Sequence, residues 1–128
     1  MDTKTIGILG ENIAVRYLIK NGYKVINRNL KEGFDEIDII AMGKDGTLIF
    51  FEVKTAVMPN GMTGPEFYGF MPEDHLTQQK VRRISRACWK FADRHRHLIN
   101  EETGWRIDLI AITIKEDDRY SLHHYKNV

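Results

Sequence analysis

The apolar run WRIDLIAITI at residues 105–114 is the feature that most constrains the fold of this chain. A strand that is apolar at nearly every position is buried on both of its faces, so the sheet around it must be covered on both sides. The run is also far shorter than the roughly 18 apolar residues that a membrane-spanning helix needs. This sequence therefore favours an α/β architecture in which helices flank a sheet.

The rest of the chain shows the periods of two helices and four further strands. The predicted elements are helices at residues 4–21 and from an N-cap at Thr77 to about Asn100, and strands at residues 23–30, 36–42, 47–55 and 120–126. A right-handed crossover through the second helix makes strand 105–114 parallel to strand 47–55. We expect a single domain over residues 1–128, with a mixed five-stranded sheet flanked by helices in the order αβββαββ.

Composition and charge exclude several classes of protein. A net charge of +1 and 42% hydrophobic residues are typical of a folded globular chain. Cys88 is the only cysteine, so neither an internal disulfide nor a cysteine-rich zinc site can form, and its place on the apolar face of the second helix predicts burial. The N-terminal segment reaches a carboxylate too early for a signal peptide, and we expect a cytoplasmic protein that makes no contact with a membrane.

Residues 56–75 contain all three prolines and three of the ten glycines and show no steady period. Loops of this length are uncommon in compact domains and are frequently lids or binding loops. A protein-interaction surface on this Met- and aromatic-bearing loop is therefore one alternative function.

Two carboxylates on neighbouring strands are the main candidates for chemistry. If Met42 pairs with Leu48 across the hairpin, Asp38 lies opposite Glu52, with Cβ atoms about 4.5–5.5 Å apart. Two such charges repel by roughly 3 kcal/mol at an effective dielectric of 20, so a cation is expected between them. Carboxylate oxygens favour Mg²⁺ or Mn²⁺, and Lys54 shares the same strand face as Glu52.

Two residues of the helices point toward the same region. Glu11 lies at the margin of the apolar face of the first helix, and Lys80 lines up with the apolar residues Ile84 and Phe91 of the second. The alternatives, a surface carboxylate and a lysine that extends over apolar neighbours to solvent, remain open from the sequence.

The second helix also carries most of the positive charge. Residues 76–99 have a net charge of +6, and the cations at helical spacing are Arg82, Arg83, Arg86, Lys90 and Arg94. A cationic stripe of this kind is typical of phosphate binding, and its alternative is a solvated helix face.

Other polar residues have structural interpretations. Neither the pair His95 and His97 nor the pair His123 and His124 has a third ligand at a spacing suited to zinc, so all four are expected to be ordinary surface or packing residues. Asp108 interrupts an apolar strand and is expected to pair with Arg106, although a role in a site stays open.

Several of these motifs together resemble a known family. They are Gly10-Glu11 with Ala14, the run 35–40 (DEIDII), the run 51–55 (FEVKT), Lys80, and Ile107-Asp108. Over residues 7–114 the chain resembles the YraN-type endonuclease-like family of the PD-(D/E)xK superfamily, which is similar to archaeal Holliday-junction resolvases. The resemblance implies a restriction-endonuclease-like fold.

The resemblance also implies roles for individual residues. Asp38, Glu52 and Lys54 match the catalytic triplet, Glu11 the additional helix carboxylate, and Lys80 the auxiliary position. Asp38, Glu52 and the Val53 carbonyl would bind Mg²⁺ or Mn²⁺.

The implied activity is metal-dependent hydrolysis of phosphodiester bonds in DNA, including branched or structured DNA in repair or recombination. A homodimer is a further expectation from resolvase-like relatives. The alternative is a nucleic-acid-binding module that keeps the fold without catalysing a reaction.

Overall fold

The computed structural model describes residues 2–58, 77–115 and 119–128. Its elements are α1 (Thr3–Lys20), β1 (Lys24–Glu32), β2 (Asp35–Met42), β3 (Leu48–Val57), α2 (Gln78–Arg94), a 3₁₀ turn (Arg96–Leu98), β4 (Trp105–Ile114) and β5 (Tyr120–Tyr125). The strands form one sheet in the order β1-β2-β3-β4-β5, in which β3 and β4 are parallel and the other neighbours antiparallel. The predicted α/β class, mixed sheet and element order are confirmed.

Each face of the sheet is covered by one helix. Leu18 of α1 packs in a buried cluster with Phe51, whereas Cys88 and Phe91 of α2 pack in a second cluster with Phe50. Neighbouring residues of a strand point to opposite faces, so Phe50 and Phe51 supply both clusters from a single strand. The central strands are therefore buried on both sides.

The β2–β3 hairpin has the register that the sequence predicts. The ladder runs from Met42 opposite Leu48 to Ile39 opposite Phe51. This register brings residue 38 of β2 and residue 52 of β3 to the same end of the hairpin, where the candidate carboxylates lie.

A close contact fixes the position of α1 on β3. A Cβ atom added to Gly10 would overlap the side chain of Thr55, so the helix backbone lies directly against the strand at this point. Only glycine permits this approach. The contact sets the position of Glu11, the next residue of the helix, relative to β3.

Some predicted boundaries are wrong. The second helix ends at Arg94 and not near Asn100, and a separate 3₁₀ turn follows it. At this end the His95 side chain makes a hydrogen bond through Nδ1 to the Phe91 carbonyl oxygen at 2.9 Å. The first strand continues to Glu32, since its pairing with β2 extends almost to the turn. Of the predicted loop 56–75, the first two residues belong to β3, and residues 59–75 lie outside the described part of the chain.

Candidate active site

Asp38 lies where the ladder between β2 and β3 stops. Its Oδ2 atom accepts a hydrogen bond from the backbone N–H of Val53 at 2.8 Å, two residues beyond Phe51, the last residue of β3 that pairs with β2. The carboxyl group of Glu52 is within hydrogen-bonding reach of the Asp38 carboxyl. The structure thus brings together the two carboxylates that the sequence predicts to converge.

The surroundings of Asp38 favour its neutral form. Burial, followed by the charge of Glu52, raises the pKa of Asp38 to about 8, and the charge of Glu11 adds to this effect. The hydrogen bond from Val53 acts in the opposite direction but is outweighed. A cation bound beside these two carboxyl groups would neutralise the same repulsion that protonation of Asp38 relieves.

Two lysine side chains meet at Glu52. The Nζ atom of Lys54 lies 3.2 Å from Glu52 Oε1, and both side chains are partly buried. Lys80, from the first turn of α2, approaches Lys54 within hydrogen-bonding reach, and the charge of Lys54, followed by burial, lowers the pKa of Lys80. The Thr77 side chain caps this helix by accepting a hydrogen bond from the Lys80 amide at 3.2 Å. The cap fixes the start of the helix and so the position of Lys80.

Glu11 reaches the site from the opposite helix and has a partner that sequence reasoning missed. Its Oε1 atom accepts a hydrogen bond from Arg28 Nε at 3.2 Å, and Arg28 Nη2 also donates to Asn12 at 2.7 Å. No pattern in the sequence marks Arg28, because it is one of several polar residues along β1. The contact holds Glu11 close enough for its charge to act on Asp38.

A pocket of about 200 Å³ opens beside the carboxylates. The residues that line it are Phe34, Asp35, Glu36, Glu52, Lys54, Lys80, Arg83 and Ile84. Phe34 lies in the β1–β2 turn and is fully exposed, which is unusual for a phenylalanine. Phe34 was not predicted as a site residue, although an aromatic residue inside the polar turn KEGFD is a feature of the sequence that could have indicated it.

The donor atoms at the site suit a hard divalent cation. Within residues 2–58, 77–115 and 119–128, no group of three or more His, Cys, Asp or Glu side chains could hold a metal ion by itself. Asp38 and Glu52 supply two carboxylates, and Mg²⁺ commonly binds through one or two carboxylates, with water and substrate oxygens completing its shell. The residues present therefore fit Mg²⁺ or Mn²⁺.

The cationic residues of α2 are not equivalent. Arg82, Arg83, Arg86 and Lys90 are exposed. Arg94 forms an ion pair with Glu32, whose side chain is buried at the end of β1. We call the first four of these side chains, Arg82, Arg83, Arg86 and Lys90, the basic face of α2.

Asp108, on β4, belongs to a buried hydrogen-bond network that joins β4, β5 and the C-terminal residues. It accepts hydrogen bonds from Arg106 Nε at 2.9 Å and from the Asn127 amide at 2.9 Å, and its Oδ2 atom lies 2.7 Å from His124 Nε2. The Nδ1 atom of His124 lies 2.8 Å from the Tyr17 hydroxyl on α1. Burial alone would raise the pKa of Asp108, but these hydrogen bonds hold it below its ordinary value.

This network bears on two predictions from the sequence, the pairing of Asp108 and the role of His124. The pairing of Asp108 with Arg106 is confirmed, and His124 is a packing residue with two partners. Cys88 is buried, and burial raises the pKa of its thiol, in agreement with a structural role.

Comparison with known proteins identifies the family. The model of the uncharacterised protein family UPF0102 matches residues 10–112. The chain belongs to this family. The assignment confirms the YraN-type resemblance of the motifs.

UPF0102 proteins from several bacteria align over most of this chain. A relative from Trichlorobacter lovleyi is 32% identical over 97% of this chain and 89% of its own length. Relatives from Geobacter sulfurreducens and Geobacter metallireducens are 36% and 37% identical, over 97% and 88% of this chain and 88% and 83% of their own lengths.

Two solved structures are similar at a lower level. A repair endonuclease from Pyrococcus abyssi aligns with a TM-score of 0.46 and 13% identity, covering 92% of this chain and 41% of that one. SfsA from Pyrococcus furiosus, in complex with Ca²⁺, aligns with a TM-score of 0.41 and 15% identity, covering 98% and 64%. This chain spans less than two thirds of either protein. In the part of the chain that the structure describes, no helix combines the length and apolar character of a membrane span.

Proposed function

We propose that this UPF0102 protein is a divalent-metal-dependent nuclease that hydrolyses phosphodiester bonds of DNA. The observation that carries the proposal is the convergence of three side chains at one end of the β2–β3 hairpin: Asp38, bonded to the Val53 amide at 2.8 Å, Glu52, and Lys54, whose amine lies 3.2 Å from Glu52. Carboxylates are rarely placed so close together beside a core unless a cation or a proton lies between them. The motif resemblance to PD-(D/E)xK nucleases supports the same chemistry.

In the proposed mechanism, Asp38, Glu52 and the Val53 carbonyl would hold Mg²⁺ or Mn²⁺. When bound, the cation supplies charge that polarises the scissile phosphate and an attacking water. Hydrolysis forms a bond from the water oxygen to phosphorus, breaks the bond from phosphorus to one sugar oxygen, and transfers a proton of the water to that leaving oxygen. The ammonium group of Lys54 orients the water and stabilises negative charge that develops on the phosphate.

The residues around the triplet have supporting roles in this proposal. Glu11, held by Arg28, adds negative charge that favours cation binding next to Asp38. Lys80 and Arg83 line the same pocket and can donate hydrogen bonds to phosphate oxygens. The basic face of α2 positions the DNA backbone through contacts that do not depend on sequence.

The proposal is tested by a cleavage assay on linear, nicked and four-way-junction DNA in the presence of Mg²⁺, Mn²⁺ or EDTA. We expect metal-dependent cleavage that falls by ~100-fold or more in Glu52→Ala and Asp38→Asn, because each removes a metal ligand. Asp45→Asn is a matched control, since Asp45 is exposed at the opposite end of the same hairpin. Cleavage that is undiminished in Glu52→Ala would refute the proposal.

The non-catalytic alternative predicts a different result in the same assay. A binding module of this fold would slow the migration of DNA in a gel-shift experiment. It would leave every DNA substrate uncut in the presence of Mg²⁺ or Mn²⁺. Binding of this kind, equal in the wild type and in Glu52→Ala, would favour the alternative.

A further inference from the structure

A second pocket lies on α2 away from the carboxylates. Its volume is about 350 Å³, within the ~300–1,000 Å³ range of small-ligand sites. Its lining includes Trp89, Asp93, Arg96, Ile99, Glu101 and Trp105. We call this pocket the tryptophan cleft.

The two tryptophans form the aromatic part of the cleft. Their ring centroids are 5.3 Å apart and their planes are nearly perpendicular, at 89°. Trp105 is anchored from the other side by the same kind of contact with Phe50, which is fully buried. Trp89, in contrast, is 64% exposed. One ring is therefore fixed on the core while the other offers an open surface for stacking.

The exposed tryptophan of the cleft lies on the same helix as the basic face of α2. Trp89 follows Arg86 by about one helical turn and precedes Lys90 in the chain, and all three side chains are exposed. A nucleic-acid backbone that follows these cations would pass beside the exposed ring. Stacking of a base on an aromatic side chain is a common contact in such grooves, because every base has an aromatic face.

The charged residues of the cleft also suit a base. Glu101 can accept a hydrogen bond from the exocyclic amine of cytosine or adenine, as carboxylates do when they bind base edges. Asp93 already accepts a hydrogen bond from Arg96 Nη2 at 3.0 Å through Oδ1, and its second oxygen can accept another. An arginine or lysine side chain of a protein partner could also stack on Trp89. Arg96 is paired with Asp93, but the exposed cations Arg86 and Lys90 on the same helix would repel such a partner and attract a polyanion.

We propose that the tryptophan cleft binds an unpaired nucleobase of the DNA substrate. The proposal rests on the proposed function and narrows its substrate class, because a base in a duplex is not free to enter the cleft. Trp89 lies nine residues beyond Lys80 on the same helix, about 14 Å along its axis.

The chain contains only two tryptophans, and both line the cleft, so its tryptophan fluorescence reports on this site. We propose titrations of Glu52→Ala protein in EDTA, which prevents cleavage, with a mixed-sequence single strand, the same strand with abasic positions, and a duplex. We expect quenching with the intact single strand only, and weaker binding without quenching for the abasic strand and the duplex, which would contact the basic face alone. Trp89→Ala should weaken binding of the intact single strand by about 5- to 150-fold and Trp89→Phe by much less, whereas duplex binding should not change.

The design separates this proposal from the nuclease proposal. Tyr120→Ala is the matched control, because Tyr120 is an aromatic residue of β5 that is also exposed. Equal losses for single strand and duplex, equal quenching by the abasic strand, or quenching by arginine amide with no response to DNA would overturn the cleft proposal. Cleavage of duplex DNA could still be intact in that case, and base binding in EDTA would persist if the nuclease proposal failed.

Discussion

Asp38 keeps a proton in the folded protein at pH values where an exposed aspartate has lost it. The cause is burial together with the charge of Glu52, which raise its pKa from an ordinary value of 3.8 to about 8. A cation that binds between the two carboxyl groups must displace this proton. Divalent-metal affinity should therefore increase as the pH rises toward 8.

The same shift predicts how stability without metal depends on pH. Because the folded pKa of Asp38 is the higher one, its contribution to stability is fully present below about pH 4 and is lost as the pH rises through about 8. Asp38→Asn keeps an acceptor for the Val53 amide but cannot titrate. The variant should gain up to about 1.4 kcal/mol per pH unit over the wild type within this window, and nothing more above it.

Urea denaturation in EDTA at several pH values measures this difference directly. The metal provides an internal control, because Mn²⁺ should stabilise the wild type and leave Asp38→Asn unchanged. A stability difference that is constant from acid to alkaline pH would contradict the prediction.

For the secondary-structure elements, the contact of α1 with β3 decides whether Glu11 can reach the site. Gly10 lies against Thr55 with no room for a methyl group, so Gly10→Ala must push the helix away from the strand. We expect a loss of about 1–3 kcal/mol in the free energy of unfolding, as is typical of overpacking. Metal affinity should fall as well, since Glu11 moves with the helix.

Gly7 is a matched control one turn earlier in the same helix. A Cβ atom at Gly7 meets nothing within 4 Å, so Gly7→Ala should stabilise the protein by about 0.5–1 kcal/mol through helix propensity. Denaturant midpoints of the two variants give the comparison. The close-approach interpretation fails if both alanine variants are equally stable.

For the whole molecule, the distribution of charge predicts how binding depends on salt. If the four cations of the basic face each neutralise one phosphate of duplex DNA, log K should fall with log salt at a slope near −3.6. Arg86→Gln should reduce the magnitude of the slope by about 0.9. Lys4→Gln, on the exposed side of α1, should leave it unchanged, and fluorescence anisotropy at several salt concentrations measures all three. A wild-type slope near zero would exclude the basic face as the binding surface.

Much of the architecture follows from local patterns in the sequence. The apolar run 105–114 requires cover on both faces of the sheet, and the turn between Met42 and Leu48 fixes the hairpin register. With the register known, the period of two places Asp38 near Glu52 without further information. Both features depend on residues close together in the chain, where hydrophobic period and turn geometry determine the outcome.

The remaining contacts were decided by how the elements pack. Glu11 meets Arg28 and acts on Asp38 only because α1 lies closely on the sheet, and Arg94 pairs with Glu32 because α2 crosses the end of β1. Trp89 and Trp105 likewise come from different elements. The sequence by itself determined which groups are available and which strand faces they share, whereas helix placement, which depends on side-chain volumes across the whole core, decided which of them touch.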